Sequence, residues 1–100
     1  MIDKWYSNGL TAEKAAGLDK KYAIIRKPSF GLVDGRLELQ LRLHYENGAG
    51  TTAVLTELAD MKNLFLSAKT SDLRDLAGIV IETYNEDNTL RGISVNPNFV

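Results

Sequence analysis

The single histidine of this 100-residue chain, His44, lies in RLELQLRLHYENGAG (36–50), with Arg42 two residues before it and Glu46 two residues after. On a strand these three side chains share one face, and a carboxylate beside an imidazole could orient it as a general base. Base catalysis also needs a nucleophile or substrate within about 3 Å, and the sequence holds no recognisable serine motif to complete a triad. With one histidine and no cysteine, histidine metal clusters, two-histidine mechanisms, disulfides and thiolate chemistry are excluded within a single chain. The expectation is an exposed strand histidine in a protein that is not an enzyme and calls for no cofactor and no metal.

Other stretches invite chemical readings and meet simpler ones. The glycines of ENGAGTT (46–52) could bring backbone N–H groups to a phosphate. A phosphate loop, however, follows a strand, opens a helix and carries a lysine, whereas this segment joins two extended runs and has none. It reads as a hairpin turn. Asn85, Glu86, Asp87 and Asn88 lack the ligand spacing of a calcium loop and read as a turn as well, while Asp72 and Asp75 suit a helix start, where carboxylates meet unpaired N–H groups.

Lys20, Lys21, Arg26 and Lys27 in KKYAIIRK concentrate positive charge. They make either a solvated strand with charged ends or a patch for an anion or an acidic partner. Proteins that bind single strands interleave aromatics with Lys and Arg on an exposed sheet. The best wet face here, Arg36, Glu38, Gln40, Arg42 and His44, carries no aromatic, so nucleic acid gains little support.

The elements that must position these residues follow from periodicity and turn chemistry. Leu37, Leu39, Leu41, Leu43 and Tyr45 alternate with that polar set, giving a strand with one buried and one wet face. Asp34-Gly35 before it has the sequence of a type I′ turn. Pairing back from the turn sets Val33 opposite Arg36, Leu32 opposite Leu37, Phe30 opposite Leu39 and Pro28 opposite Leu41, but would aim Arg26 into the core opposite Leu43. A one-residue bulge near Lys27 and Pro28, turning Ile25 toward Leu43, removes the conflict.

TTAVLT (51–56) predicts a third strand. Leu58, Met61, Leu64, Phe65 and Ala68 fall on a helical face, with Asp60 early and Lys69 late. In TSDLRDLAG, Ser71 or Thr70 caps a short helical turn with Leu73, Leu76 and Ala77 inward and Gly78 as its stop. IVIETY and LRGISV, separated by NEDNT, form a second hairpin. At the N-terminus, Thr11 caps a short helix ended by Gly17, which offers Leu10, Ala15 and Leu18, with Trp5, to the core. The fold class is α+β: an antiparallel sheet of about five strands covered by one main helix, with a short N-terminal helix.

At 44% hydrophobic and 25% charged residues, the composition is that of one globular domain spanning 1–100. No window reaches the roughly 20 apolar residues of a membrane span, nor is there an apolar run of signal-peptide type, so a cytoplasmic protein is expected. The net charge is −1, which gives no general basis for phosphate binding. It is uneven: residues 1–50 carry a balance of +2 and residues 51–100 one of −3.

From Ala23 to Ile93, GRLELQLRLHYENGAG, MKNLFL, SDLRDLAG and VIETYNEDNTLRGI give a layout similar to small phage- or prophage-encoded proteins of unassigned function. The resemblance is one of pattern, and the loop NGAGTT is shorter and poorer in glycine than that group's. It implies a phage context and binding as the mode of action. It carries no catalytic residues.

The reading that follows is a noncatalytic binding protein, an inhibitor of a host defence complex, that meets a protein partner with Arg36, Glu38, Gln40, Arg42 and His44 and offers Lys20, Lys21, Arg26 and Lys27 as a second patch. The alternative is a small-molecule, nucleotide-like binder or sequestering protein, with the ligand held between subunits near Gly48–Thr52 and a basic patch. The alternating charges of the polar face also suit contact between copies of the chain.

Overall fold

Asp34 and Gly35 both have positive φ, 52° and 78°, as a type I′ turn requires. They close strand β1 (Asp19–Val33) onto β2 (Arg36–Tyr45). In this computed structural model, which describes residues 4–96 and Asn98, the ladder from the turn matches the sequence reading: Leu32 faces Leu37, Phe30 faces Leu39 and Pro28 faces Leu41. Lys27 then faces Arg42 and Ile25 faces Leu43, which leaves Arg26 as an extra residue. This is the expected bulge, and it turns Ile25 into the core.

The bulge is also where β1 changes neighbours. Before it, Asp19–Ile24 pair with β4 (Val80–Glu86), and of these Ala23 and Ile24 pair with β2 as well. Past it, β1 keeps β2 alone. Ile25 itself is clamped by Gly78, whose N–H donates to the Ile25 carbonyl at 2.7 Å, and by Ile79, whose carbonyl accepts from the Ile25 N–H at 2.9 Å. In a two-residue hairpin the pair flanking the turn exchanges both hydrogen bonds, so counting back by alternation aims the Pro28 nitrogen away from β2. A proline there costs the ladder nothing.

The order is completed by α1 (Ala12–Ala16), β3 (Gly50–Leu55), α2 (Leu58–Ala68), a 3-10 turn (Leu73–Leu76) and β5 (Thr89–Val95). The five strands form one antiparallel sheet in the order β3-β2-β1-β4-β5. Its edge strands β3 and β5 approach one another, and α2 packs against both, so the sheet is curled. The concave side holds the core: Ile25, Leu39, Leu41, Leu43, Leu55, Leu64, Leu76, Ile81 and Ile93 are all essentially sealed from solvent. Among the described residues, the outer side of β1, β2 and β3 carries no helix.

Several local expectations are corrected. The hairpin turn NEDNT contracts to Asp87-Asn88, both at positive φ, because Asn85 and Thr89 continue the ladder and short polar side chains tolerate the left-handed region. Leu58, 74% exposed, leaves the α2 face, which buries Met61, Leu64 and Ala68; it stands in the first turn, where the helix has not yet reached the sheet. Lys69 is not in the last turn but forms a left-handed C-cap at φ 58°. Neither Ser71 nor Thr70 caps the 3-10 turn: Asp72 does, accepting from the Arg74 N–H at 2.9 Å, while Thr70 Oγ accepts from the Asp72 N–H at 3.1 Å. Ala77 falls outside that turn and is exposed.

The outer edge of β5 is occupied by the segment Lys4–Asn8. The Ser7 N–H donates to the Ile93 carbonyl at 2.9 Å, Ser7 Oγ accepts from the Ile93 N–H at 2.8 Å, and Ser94 Oγ donates to the Trp5 carbonyl. Asp60 of α2 holds the same segment, accepting from Trp5 Nε1 at 3.0 Å and from the Asn8 N–H at 3.1 Å. The crossing needs Gly92, where a Cβ would meet Leu10 Cδ1 at 2.4 Å and the Ser7 carbonyl oxygen at 3.1 Å. Gly92→Ala is expected to lower stability by about 1–3 kcal/mol. Equilibrium chemical denaturation checks this, and a variant as stable as the parent would show that the strap yields freely.

Candidate functional site

Alternation along β2 sends Arg36, Glu38, Gln40, Arg42 and His44 to the outer side of the sheet, each exposed or half-buried. Register carries Lys27 to the same face directly opposite Arg42, and Thr52 and Val54 of β3 stand opposite Arg42 and Gln40. The bulge adds Arg26. Like charges placed directly across a ladder repel, and here Lys27 and Arg42 face each other with no carboxylate between them. Among the described residues Arg26, Lys27, Arg36, Arg42 and His44 make no ion pair and no side-chain hydrogen bond; within the polar set of β2, Gln40 and Glu38 are joined, Gln40 donating at 3.4 Å.

The two sequence-predicted patches are therefore partly one surface. Arg26 and Lys27 join the polar face, and Lys20 lies on the same side at the far end of β1, opposite Tyr84. Lys21 does not join them: it points to the other side of the sheet, opposite Thr83, and pairs with Asp19 at 3.7 Å. Alternation within KKYAIIRK separates the adjacent lysines, as it must for any extended segment.

Between β1, β2 and β4 the outer face forms a shallow cleft of about 360 Å3, lined by Tyr22, Ile24, Arg26, His44, Glu46 and Val80 together with Ala23 and Tyr45. Ile24 is its floor, flanked by His44 on β2 and Val80 on β4. Tyr22 stands at one end with the Lys20 ammonium 5.5 Å from its ring centroid. No serine, threonine or cysteine lines the cleft, and Glu46 does not hydrogen-bond His44 among the described residues, so the imidazole has no orienting carboxylate. The Gly48 loop offers no anion cradle either: the Gly48 N–H donates to the Tyr45 carbonyl at 3.0 Å and the Ala49 N–H to Asn47 Oδ1 at 2.9 Å.

A carboxylate absent from the sequence reading occupies the same outer side. Glu82 is only 2% exposed and is enclosed by hydrogen bonds from Lys4 Nζ, from the Tyr84 hydroxyl at 2.8 Å and from Asn96 Nδ2 at 3.2 Å, with Lys20 Nζ at 3.9 Å. Burial alone would raise its pKa; the hydrogen bonds from Lys4 and Tyr84 and the charges of Lys4 and Lys20 outweigh it and hold Glu82 below the ordinary carboxylate value. The same burial, together with the bond to Glu82, pushes the Tyr84 phenol up. With its oxygens satisfied inside the chain, Glu82 is structural: it ties Lys4 to β4. The signal in the sequence was a lone charge inside IVIETY.

The Asp87 turn is explained as backbone geometry, since Glu86 accepts from Arg91 at 3.0 Å and Asn85 is buried, donating to Thr83 Oγ at 3.1 Å. Asp72 is held near pKa 2 by hydrogen bonds from the side chain and then the backbone of Arg74. Among the described residues no helix is long and apolar enough to cross a membrane.

Because Glu82 titrates lower in the folded protein than in the unfolded chain, its ionised form adds stability that is present above about pH 4.3 and lost as pH falls through the lowered folded value. Glu82→Gln is expected to flatten that acid limb and to cost about 1–3 kcal/mol at neutral pH. Thermal melts of both proteins from acid to neutral pH test it; parallel curves would remove Glu82 from the acid response.

No family model matches the chain, and no curated protein and no solved structure matches it.

Proposed function

We propose that this is a noncatalytic binding protein that docks an acidic protein surface on the outer face of β1, β2 and β3. The observation that carries the reading is the gathering of Arg26, Lys27, Arg36, Arg42 and His44 on one face, without ion partners among the described residues, Lys27 set against Arg42. A sheet face gains nothing in stability from opposed like charges. It gains a partner, because complementary charge raises the encounter rate and fixes orientation. Thr52 and Val54 provide neutral and apolar surface beside the cations, which suits an interface whose centre excludes water. In the phage context that the sequence pattern suggests, the partner is a component of a host defence complex and the protein its inhibitor.

Arg42→Glu replaces repulsion with attraction across the ladder, so its stability is expected to stay within about 1 kcal/mol of the parent. Partner capture from a bacterial lysate should fall at least tenfold. Capture by the parent should also weaken between about 0.05 M and 1 M salt, as screening shortens. A partner retained equally by both proteins at both salt concentrations would exclude this face.

A further inference from the structure

Past the bulge, β1 has β2 on one side and an open edge on the other. The backbone groups of Ile25 that point away from β2 are taken by Ile79 and Gly78. The next such groups belong to Pro28, Phe30 and Leu32, because Ser29, Gly31 and Val33 spend theirs on β2 by the alternation counted back from the turn. Among the described residues no hydrogen bond reaches the N–H or the carbonyl of Phe30 or of Leu32. A row of unpaired backbone groups of this kind is a template for another strand. Pro28, which has no N–H to offer, ends the row on the bulge side.

The side chains along this edge are those of a core that stops short. Phe30 and Leu32 stand on the concave side, opposite Leu39 and Leu37. Leu39 is sealed from solvent, yet Phe30 and Leu37 are exposed and Leu32 is 77% exposed. The apolar surface therefore begins inside the molecule and runs out at the strand edge, where the unpaired backbone groups lie. An occupant that satisfies both features is an extended segment carrying apolar residues at every second position, and this chain carries one in Phe30-Gly31-Leu32 itself.

We propose that this edge pairs with the same edge of a second copy of the chain, antiparallel, about a two-fold axis at Gly31. In that register Phe30 of each copy faces Leu32 of the other, and the two exchange both their hydrogen bonds, so every free group of the pair is used. At the axis glycine faces glycine, with no side chain to hold the backbones apart. A register centred on Phe30 would set Leu32 against Pro28 and leave the Leu32 carbonyl without a donor, so the proline selects between the two. On the concave side the row Leu37, Leu32 continues into Phe30 and Leu39 of the second copy, joining the two cores. At the ends of the contact the Asp34 turn of one copy comes beside Lys27 of the other, and neither has an ion partner among the described residues. The contact is of the small class, about 1,000 Å2 in total, which suits a dimer in exchange with its monomer. It uses a strand edge and the concave side, so it does not rest on the docking of an acidic partner at the outer face.

Sedimentation equilibrium of the full chain between about 5 µM and 1 mM is expected to show a monomer and dimer in equilibrium, with a dissociation constant of roughly 10–300 µM. Leu32→Glu sets a carboxylate against Phe30 of the second copy and should weaken the dimer at least about tenfold. Its monomer should melt as the parent monomer does, since Leu32 already stands in solvent. Phe30→Lys should weaken the dimer to a similar degree. Mixing the two variants places the introduced lysine directly opposite the introduced glutamate on one side of the axis and restores Leu32 against Phe30 on the other. The mixture should therefore associate at least about tenfold more tightly than either variant alone. A parent chain that stays monomeric at about 1 mM overturns the proposal, as does a dimer that Leu32→Glu leaves at parental strength. A mixture no tighter than its components overturns the register at Gly31.

Discussion

The pairing of β1 with β2 reaches a point at which strict alternation would drive an arginine among Leu41, Leu43 and Leu55. Burying an unpaired guanidinium costs several kcal/mol, far more than an unpaired backbone position at a sheet surface. The chain places one residue, Arg26, outside the ladder, and Ile25 takes the core position. Much else depends on that single extra residue. It bends and twists β1, which lets the first half of the strand serve β4 while the second half has β2 as its neighbour. It also gives Gly78 and Ile79 the Ile25 backbone groups to bond, fixing where the 3-10 turn ends and β4 begins.

A second constraint is electrical. Glu82 sits on the convex side of the sheet, yet it is as hidden as the leucines. A carboxylate sealed in this way is tolerable only when cations and hydrogen-bond donors replace its water, and the donors come from three parts of the chain: Lys4, Tyr84 and Asn96. The Lys4–Asn8 strap is thereby more than a cover for a strand edge. It carries the charge that β4 needs, while Asp60 and Gly92 give it a track to lie in.

Much of this was readable from the residues, and the exceptions have physical causes. The first hairpin was specified at residue level because three local signals agree there: strict period-two leucines, an Asp-Gly turn, and an arginine that cannot be buried. The second hairpin was recognised while its turn was drawn too wide, since Asn85 is turn-like by composition but is held in the ladder by its bonds to Thr83 and the Asp19 carbonyl. The polar face was identified as a set, but its junction with Arg26 and Lys27 depends on pairing between strands. Tyr22 lies outside the alternating polar set of β2, and its place on the same outer face follows only from strand pairing. Glu82 and the strap rest on contacts between the two ends of the chain, which no periodicity reports.

Those end-to-end contacts shape how the molecule comes together. Lys4 and Glu82 are 78 positions apart, Ser7 and Ile93 are 86, and Trp5 and Ser94 are 89. The β1–β2 and β4–β5 hairpins close over short loops, whereas the strap must wait for both hairpins and for the long closure between them, which is entropically the dearest. It is the natural candidate for the last piece to seat and the first to lift away. In the partly opened state Glu82 loses its lysine and the edge of β5 lies bare, so the open form is both more acidic at that surface and more prone to pair with a foreign strand.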